Sequence, residues 1–263
     1  MRLMDNEVLT FCADDAHGAP IMMKADELGI EPTEFIDEIN KNHQKSLAKF
    51  GIEYTNYHST HSKENEALVS EIYLDAKSSG YIYKKEIEQC FDKEKQMFLA
   101  DRYVIGECPK CSAKDQYGDG CEECGATYSA TELINPKSSL SGSKPITKIS
   151  EHIFFNLEKA KDDLVNFLDN SSIQKPILGK LSEWIDGDLK SWDISRDAPY
   201  FGFQIPDETK KYFYVWVDAP IGYMASADNW ANKNSHSLEN LWGKESDYEI
   251  HHFIGKDITY FHG

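Results

Sequence analysis

The 263-residue sequence contains no run of about 18 apolar residues, so no segment has the length of a transmembrane helix. Its first residues, Met1-Arg2-Leu3-Met4-Asp5-Asn6-Glu7, lack an apolar core followed by small residues, so no secretory leader is expected. The phosphate-loop string G-x-x-x-x-G-K-[ST] and the dinucleotide string G-x-G-x-x-G are both absent. No G-x-S-x-G elbow or evident Cys–His pair points to a hydrolase. There is no internal repeat and no low-complexity tract. Positive charge is scarce, with 28 Lys+Arg against 45 Asp+Glu and a net charge of −17. Such a chain does not grip a polyanion with its overall field; a nucleic-acid partner needs a local patch or other segments. Six cysteines are too few for a small disulfide-stapled secreted domain. The expectation is a reduced, cytoplasmic protein with no membrane association.

What is present suits a folded chain of roughly two domains, at about 150 residues per domain. Apolar residues make up 40% and aromatics 12%, enough to anchor cores. Glu7 to Ala13 is a short apolar run of the buried parallel-strand type, broken by the polar loop Asp14 to Pro20. Helical patterns cover 21–28 and 32–50, each closed by glycine, and 52–57 is the next expected strand. Ser62 is placed to cap a helix over 63–79, with Gly80 at its stop. Strand, helices, strand and helix in that order favour a parallel α/β sheet. The texture then changes: 81–128 reads as short strands, turns and cysteine pairs. A strand is expected over 151–157, helices over 158–169 and 173–189, and strands over 201–205 and 211–217. Helices over 219–230 and 238–242 and a buried-type strand over 250–254 close the chain. A domain inserted into a sheet domain accounts for α/β texture at both ends, though only about three parallel strands are counted in the outer pieces.

Cys108-Pro109-Lys110-Cys111 and Cys121-Glu122-Glu123-Cys124 are two C-x-x-C pairs nine residues apart. Four thiolates suit tetrahedral Zn²⁺, and four protein ligands leave no open position, so one structural zinc per chain is expected. A small knuckle of this kind does not bury enough core to fold unaided. By itself it does not specify a function.

Other residues leave alternatives open. Asp14 and Asp15 follow a strand, where ligands of open α/β sheets bind; a carboxylate there can hold an ammonium group or simply cap a helix. Arg196, within Trp192 to Gly202, is a candidate ion partner for either acid or an ordinary surface arginine. Trp216, Ala219, Pro220 and Tyr223 fall at a strand-to-helix turn, where an aromatic stripe is either core or the wall of a pocket. Gly255-Lys256-Asp257 follows the last strand, where glycine allows close backbone approach and Asp accepts hydroxyls. His251, His252 and His262 lack metal spacing, and no second metal is expected.

Together, Cys12 to Gly18, the double C-x-x-C, Trp192 to Gly202, Trp216 to Met224 and Phe253 to His262 resemble the bacterial methionyl-tRNA synthetase family of class I aminoacyl-tRNA synthetases. The resemblance spans nearly the whole chain. It implies a Rossmann-type sheet split by a connective-peptide domain that carries zinc knuckles. It implies activation of L-methionine with ATP, carried with Mg²⁺, and transfer to tRNA(Met). Asp14 resembles the carboxylate that receives the methionine ammonium, with Arg196 as its ionic partner. Trp216, Ala219, Pro220, Tyr223, Ile258 and His262 resemble the walls of the side-chain pocket, with Tyr223 and His262 near the sulfur. A polarizable thioether tolerates aromatic edges and accepts only weak hydrogen bonds. Gly255 and Asp257 resemble the adenosine-binding turn, and Cys108, Cys111, Cys121 and Cys124 the zinc ligands.

The sequence departs from that family in one respect. The HIGH-type motif and the KMSKS-type loop, which stabilise the ATP phosphates, do not occur, so no catalytic residue is assigned. The resemblance places the family's first strand before Met1, and the KMSKS loop and anticodon domain after Gly263. The expected division is 1–62 for the first half of the sheet domain, 63–211 for the insertion with its knuckle at about 106–128, and 212–263 for the start of the second half. Alone, such a chain is expected to be nearly inactive in methionine activation, with tRNA held mostly by other segments. The competing readings are a non-enzymatic zinc-knuckle binding module and one half of a split synthetase.

Overall fold

The computed structural model describes residues 5–187 and 189–262, without the side chains of residues 256, 257 and 260. The fold is mixed α/β, with parallel and antiparallel sheets. Strand β1 (Phe11–Asp14) pairs in parallel with β2 (Asn56–Ser59), from Phe11 opposite Asn56 to Asp14 opposite Ser59. Helices α1 (Ala19–Leu28) and α2 (Pro32–Lys49) form the crossover. Helix α1 stops where Gly29 turns left-handed at φ +67°, and Pro32 opens α2 in its first turn, where a missing N–H costs nothing. The strand begins at Phe11 rather than Glu7. Just before it, Thr10 and Thr55 each accept the other's backbone N–H on the side-chain hydroxyl, at 2.9 Å, in place of ladder bonds.

Helix α3 (Lys63–Ser78) starts where the Ser62 hydroxyl accepts the Asn65 N–H. It leads into β3 (Ile82–Asp92), which runs antiparallel to β8 (Ile146–Phe155) over ten residue pairs. With β4 (Met97–Phe98) and β9 (Trp192–Asp193) these give a sheet of order β4-β3-β8-β9. Within the excursion from β4 to β8, strands β5 (Val104–Glu107), β6 (Gln116–Tyr117) and β7 (Ile134–Ser138) make a small sheet of order β6-β5-β7 around the cysteines. Helices α4 (Lys161–Asp169) and α5 (Lys175–Asp186) bury Leu168, Leu181, Ile185 and Leu189 in a core of their own.

The last third is less strand-like than its sequence suggests. Strands β10 (Ser195–Asp197) and β11 (Lys211–Phe213) pair antiparallel. The 201–205 segment is not a strand; it meets β11 only through the Gln204–Tyr212 bridge and two flanking backbone bonds. The strand expected over 211–217 ends at Phe213, because Tyr214 N–H turns to the carbonyl of Ile194 and Val215 N–H to the Tyr200 hydroxyl. Residues Val215–Asp218 instead form the helical turn α6, followed by α7 (Gly222–Lys233) and α8 (Leu238–Trp242). The buried-type string 250–254 forms no strand: none of the described strands lies beside it, and Phe253 is 94% exposed. A short 3₁₀ helix, Lys256–Phe261, follows it. The parallel pair therefore has two described strands, where about three were expected. No described helix is long and apolar enough to cross a membrane.

Helix α7 packs on β1, β2 and α3. Its first residue must be small: a Cβ on Gly222 would lie 2.8 Å from Thr60 Cγ2 and 3.6 Å from Ala13 Cβ. This approach brings the chain around Tyr223 against the end of β1.

Candidate functional site

At the end of β1 the Asp14 carboxylate is met from two elements. Oδ1 accepts from the Tyr57 hydroxyl on β2 and contacts His43 Nδ1 at 2.8 Å on α2, while Oδ2 accepts from Asn40 Nδ2 at 2.7 Å. Burial, then the Asp14 bond, pushes the Tyr57 phenol far above its usual range, so it stays a donor. Three polar groups thus fix the orientation of the carboxylate.

Arg196 does not meet Asp14. Its Nη1 donates to the Ser195 carbonyl at 2.7 Å and lies 3.7 Å from Asp193, while its guanidinium sits 3.8 Å from the Tyr214 ring centroid. Strand β10 points it into an ionic cluster instead. There His152, fully buried on β8, contacts Asp193 at 2.7 Å through Nδ1 and Asp197 at 3.0 Å through Nε2. Lys211 donates to the other Asp197 oxygen at 2.6 Å. Burial opposes the charge on His152, but the two carboxylates outweigh it and raise its pKa.

The aromatic residues gather where the short 3₁₀ helix 256–261 meets α6 and α7. Trp216 stacks on Phe261 with centroids 4.4 Å apart and planes at 7°. Tyr223 lies 5.7 Å from the His262 ring and 5.8 Å from His252. His262 Nδ1 contacts the Ile258 carbonyl at 2.9 Å. Ala219 and Pro220 form the link between α6 and α7. Gly255 is open, with nothing nearer than Ile258 at 3.9 Å from a built Cβ; the Asp257 side chain lies outside the described residues. Behind α6, a cavity of about 590 Å³ opens between α3, the β3–β8 pair and α5. It is lined by Val217, Ile221, Trp192 and Phe261 among others, and Trp216 and Tyr223 do not face it.

Sequence reasoning missed one group. His17, from the loop after β1, contacts Asp218 of α6 at 2.5 Å through Nδ1, and His61 at 2.9 Å through Nε2. His17 and Asp218 are buried, and the His17 ring also meets the edges of Phe201 and Phe203. Asn65, fully buried in the first turn of α3, donates to the carbonyls of Thr60 at 2.9 Å and Asp218 at 3.2 Å. Burial pushes the Asp218 carboxyl up against the lowering effect of His17. The two residues stand 201 positions apart, so no local spacing signals them.

The four cysteines of the double C-x-x-C converge. Their sulfurs all lie within 4.8 Å of one another, with Cys108–Cys124 at 3.8 Å and Cys111–Cys121 at 3.6 Å. Ligands about 2.3 Å from a tetrahedral centre stand about 3.8 Å apart, so the spacing fits one metal ion. The two halves share one backbone plan. Ser112 N–H and Gly125 N–H return to the carbonyls of Cys108 and Cys121, both at 2.9 Å. Ser112 and Gly125 are both left-handed, at φ +62° and +71°. Backbone N–H groups of Lys110 and Cys111 point at Cys108 Sγ, and that of Cys124 at Cys121 Sγ. Such donors stabilise thiolate over thiol.

The chain belongs to the family of class I tRNA synthetases (M), whose profile matches residues 1–263. Among solved structures it is similar to two of Mycobacterium tuberculosis methionyl-tRNA synthetase, one a crystal structure bound by methionyl-adenylate and the other in complex with the same adenylate. Each matches with a TM-score of 0.69 and 18% identity over 99% of this chain and 46% of the other. The chain thus spans about half the length of those proteins, and at this identity the likeness is one of fold.

Proposed function

We propose that this chain is part of a methionine–tRNA ligase and contributes its amino-acid site and a structural zinc centre. In this reading the Asp14 carboxylate receives the ammonium group of L-methionine. Trp216, Ala219, Pro220, Tyr223, Ile258 and His262 receive the side chain, and Gly255 and Asp257 receive the adenosine of ATP, which arrives with Mg²⁺. The product of the complete protein is methionyl-adenylate, then methionyl-tRNA(Met). Residues 1–62 and 212–263 are the two parts of the nucleotide-binding sheet domain and 63–211 the insertion, with α3 bridging them.

The observation that carries the reading is the close approach of Gly222 to Ala13. It brings the residue before Tyr223 against the strand that ends in Asp14, which supports the reading that this carboxylate and the Tyr223–His262 pair serve one ligand. The family membership and the adenylate bound by the similar structures agree with it. Zinc is the metal that four thiolates in a closed tetrahedron suit; when bound it cross-links the two knuckles and leaves no position for a substrate.

Calorimetric titration of the zinc-loaded 263-residue chain with L-methionine, against L-leucine, tests the reading. Selective heat with methionine is expected. A charge-assisted bond contributes about 1.5–3 kcal/mol, so Asp14→Asn is expected to weaken binding by roughly 10–100-fold. No difference between methionine and leucine would remove the amino-acid site from the proposal.

A further inference from the structure

We propose that His17, acting through Asp218, is a positioning residue that holds the aromatic end of the amino-acid site at a fixed distance from its carboxylate end. The inference rests on the methionine reading above. The ammonium and the side chain of an amino acid are joined at one Cα, so a selective site must meet both at a set spacing. Misplacement by about 1 Å is enough to cost such a site much of its effect.

The two ends are carried by different parts of the chain. Asp14 ends β1, three residues before His17, while Trp216 lies on α6 and Ala219 directly follows Asp218, the last residue of that turn. Helix α6 has four residues, too few to hold its shape without tertiary support. His17 supplies that support from the β1 loop, and Asn65 adds a bond to the Asp218 carbonyl, so both side chain and backbone of α6 are tied. The tie is not there for stability alone. Asp218 Oδ1 and Asn65 Oδ1 are buried and have no partner among the described residues. A buried polar group left unpaired is destabilising, and apolar residues of like volume often fill such sites at no loss. What the polar pair adds is direction: a bond that fixes where α6 sits relative to the loop of Asp14.

The two nitrogens of His17 can be separated by substitution. In H17N the amide nitrogen falls near the place of Nδ1 and keeps a donor for Asp218; in H17Q it falls near Nε2, toward His61. Both variants of the 263-residue chain are titrated with L-methionine, and amide hydrogen exchange is read without ligand. H17Q is expected to bind about tenfold more weakly and to exchange faster across 214–222, with 82–92 unchanged. H17N is expected to stay within threefold of the unaltered chain. Should H17Q fail to fold, D218L, which removes both acceptor oxygens, is read in its place with the same expectation. The tie is overturned if H17Q (or D218L) binds and exchanges like the unaltered chain, or if H17N falls as far as H17Q. Absence of methionine binding in the unaltered chain overturns the methionine reading instead. The exchange at 214–222 then decides the tie alone: no acceleration in H17Q removes it.

Discussion

At the scale of single residues, the strongest constraints are side chains that satisfy several backbone groups at once. Asp92 is fully buried at the β3–β4 turn and accepts from the N–H groups of Glu94 and Lys95 at 2.8 and 3.0 Å, and from the Ser141 hydroxyl at 2.6 Å. Burial works against its charge, but these donors and Ser138 win and lower its pKa to about 2. Its contribution is therefore complete above the unfolded carboxyl value of 3.8 and is lost as pH falls toward 2. Asp92→Ala strands these donors and is expected to lower unfolding free energy by about 2–4 kcal/mol at pH 7 in a urea titration. The same scale shows what a sequence can and cannot reveal. The cluster Cys108 to Cys124 is legible because its four cysteines lie within 17 residues. The His17–Asp218 contact is invisible, because each residue alone is an ordinary His or Asp and the partner is 201 positions away. Arg196 is turned from Asp14 for a related reason: Asp193, on the neighbouring strand β9, stands 3.7 Å from its guanidinium.

At the scale of elements, legibility follows how local the signal is. Helix α3 matches its expected span to within one residue because its punctuation is local, with Ser62 capping its start and Gly80 just past its end, although the face it buries is Asn65, Val69 and Tyr73 and not Leu68, Ile72 and Ala76. Strand β3 is longer than its sequence suggests, because Lys84, Lys85, Glu86 and Glu88 on its exposed surface dilute the apolar alternation; Lys84 pairs there with Glu151 and Glu208. The string 250–254 errs the other way, since an apolar run becomes a strand only beside another strand. His152 joins β8, β9 and β10 by holding Asp193 and Asp197. Its folded pKa is raised above the unfolded 6.5, so its stabilisation is fully present below pH 6.5 and is lost as pH rises through the folded value. The unfolding midpoint in urea is expected to fall across that interval. His152→Phe leaves two carboxylates facing each other, and is expected to cost about 3–5 kcal/mol near pH 6 and to flatten the pH dependence. An unchanged slope in the variant would show that the imidazole is not the titrating group.

At the scale of the whole molecule, the cores are separable. One lies under the small sheet around Val104 and Leu133, another under β3 and β8 around Ile153 and Phe213, and a third between α4 and α5. Metal removal should respect these borders. Chelation under reducing conditions is expected to release one zinc per chain, measured by atomic emission, and to speed hydrogen exchange across 104–138. Exchange in 161–186 should stay as it was, because Leu168, Leu181 and Ile185 owe nothing to the thiolates. Spread of the change into α4 and α5 would mean that the cores fold as one. Helix α3 crosses between these regions. Its sixteen residues make a rod about 24 Å long. Near one end Asn65 grips the backbone of α6, and farther along Tyr73 meets the edge of the Phe213 ring in the core shared with β3 and β8. A rod fixed along its length conveys displacement as tilt, without bending. A pull on the β3–β8 sheet therefore reaches α6 as a change of angle, mechanically, with no ligand passing between the two.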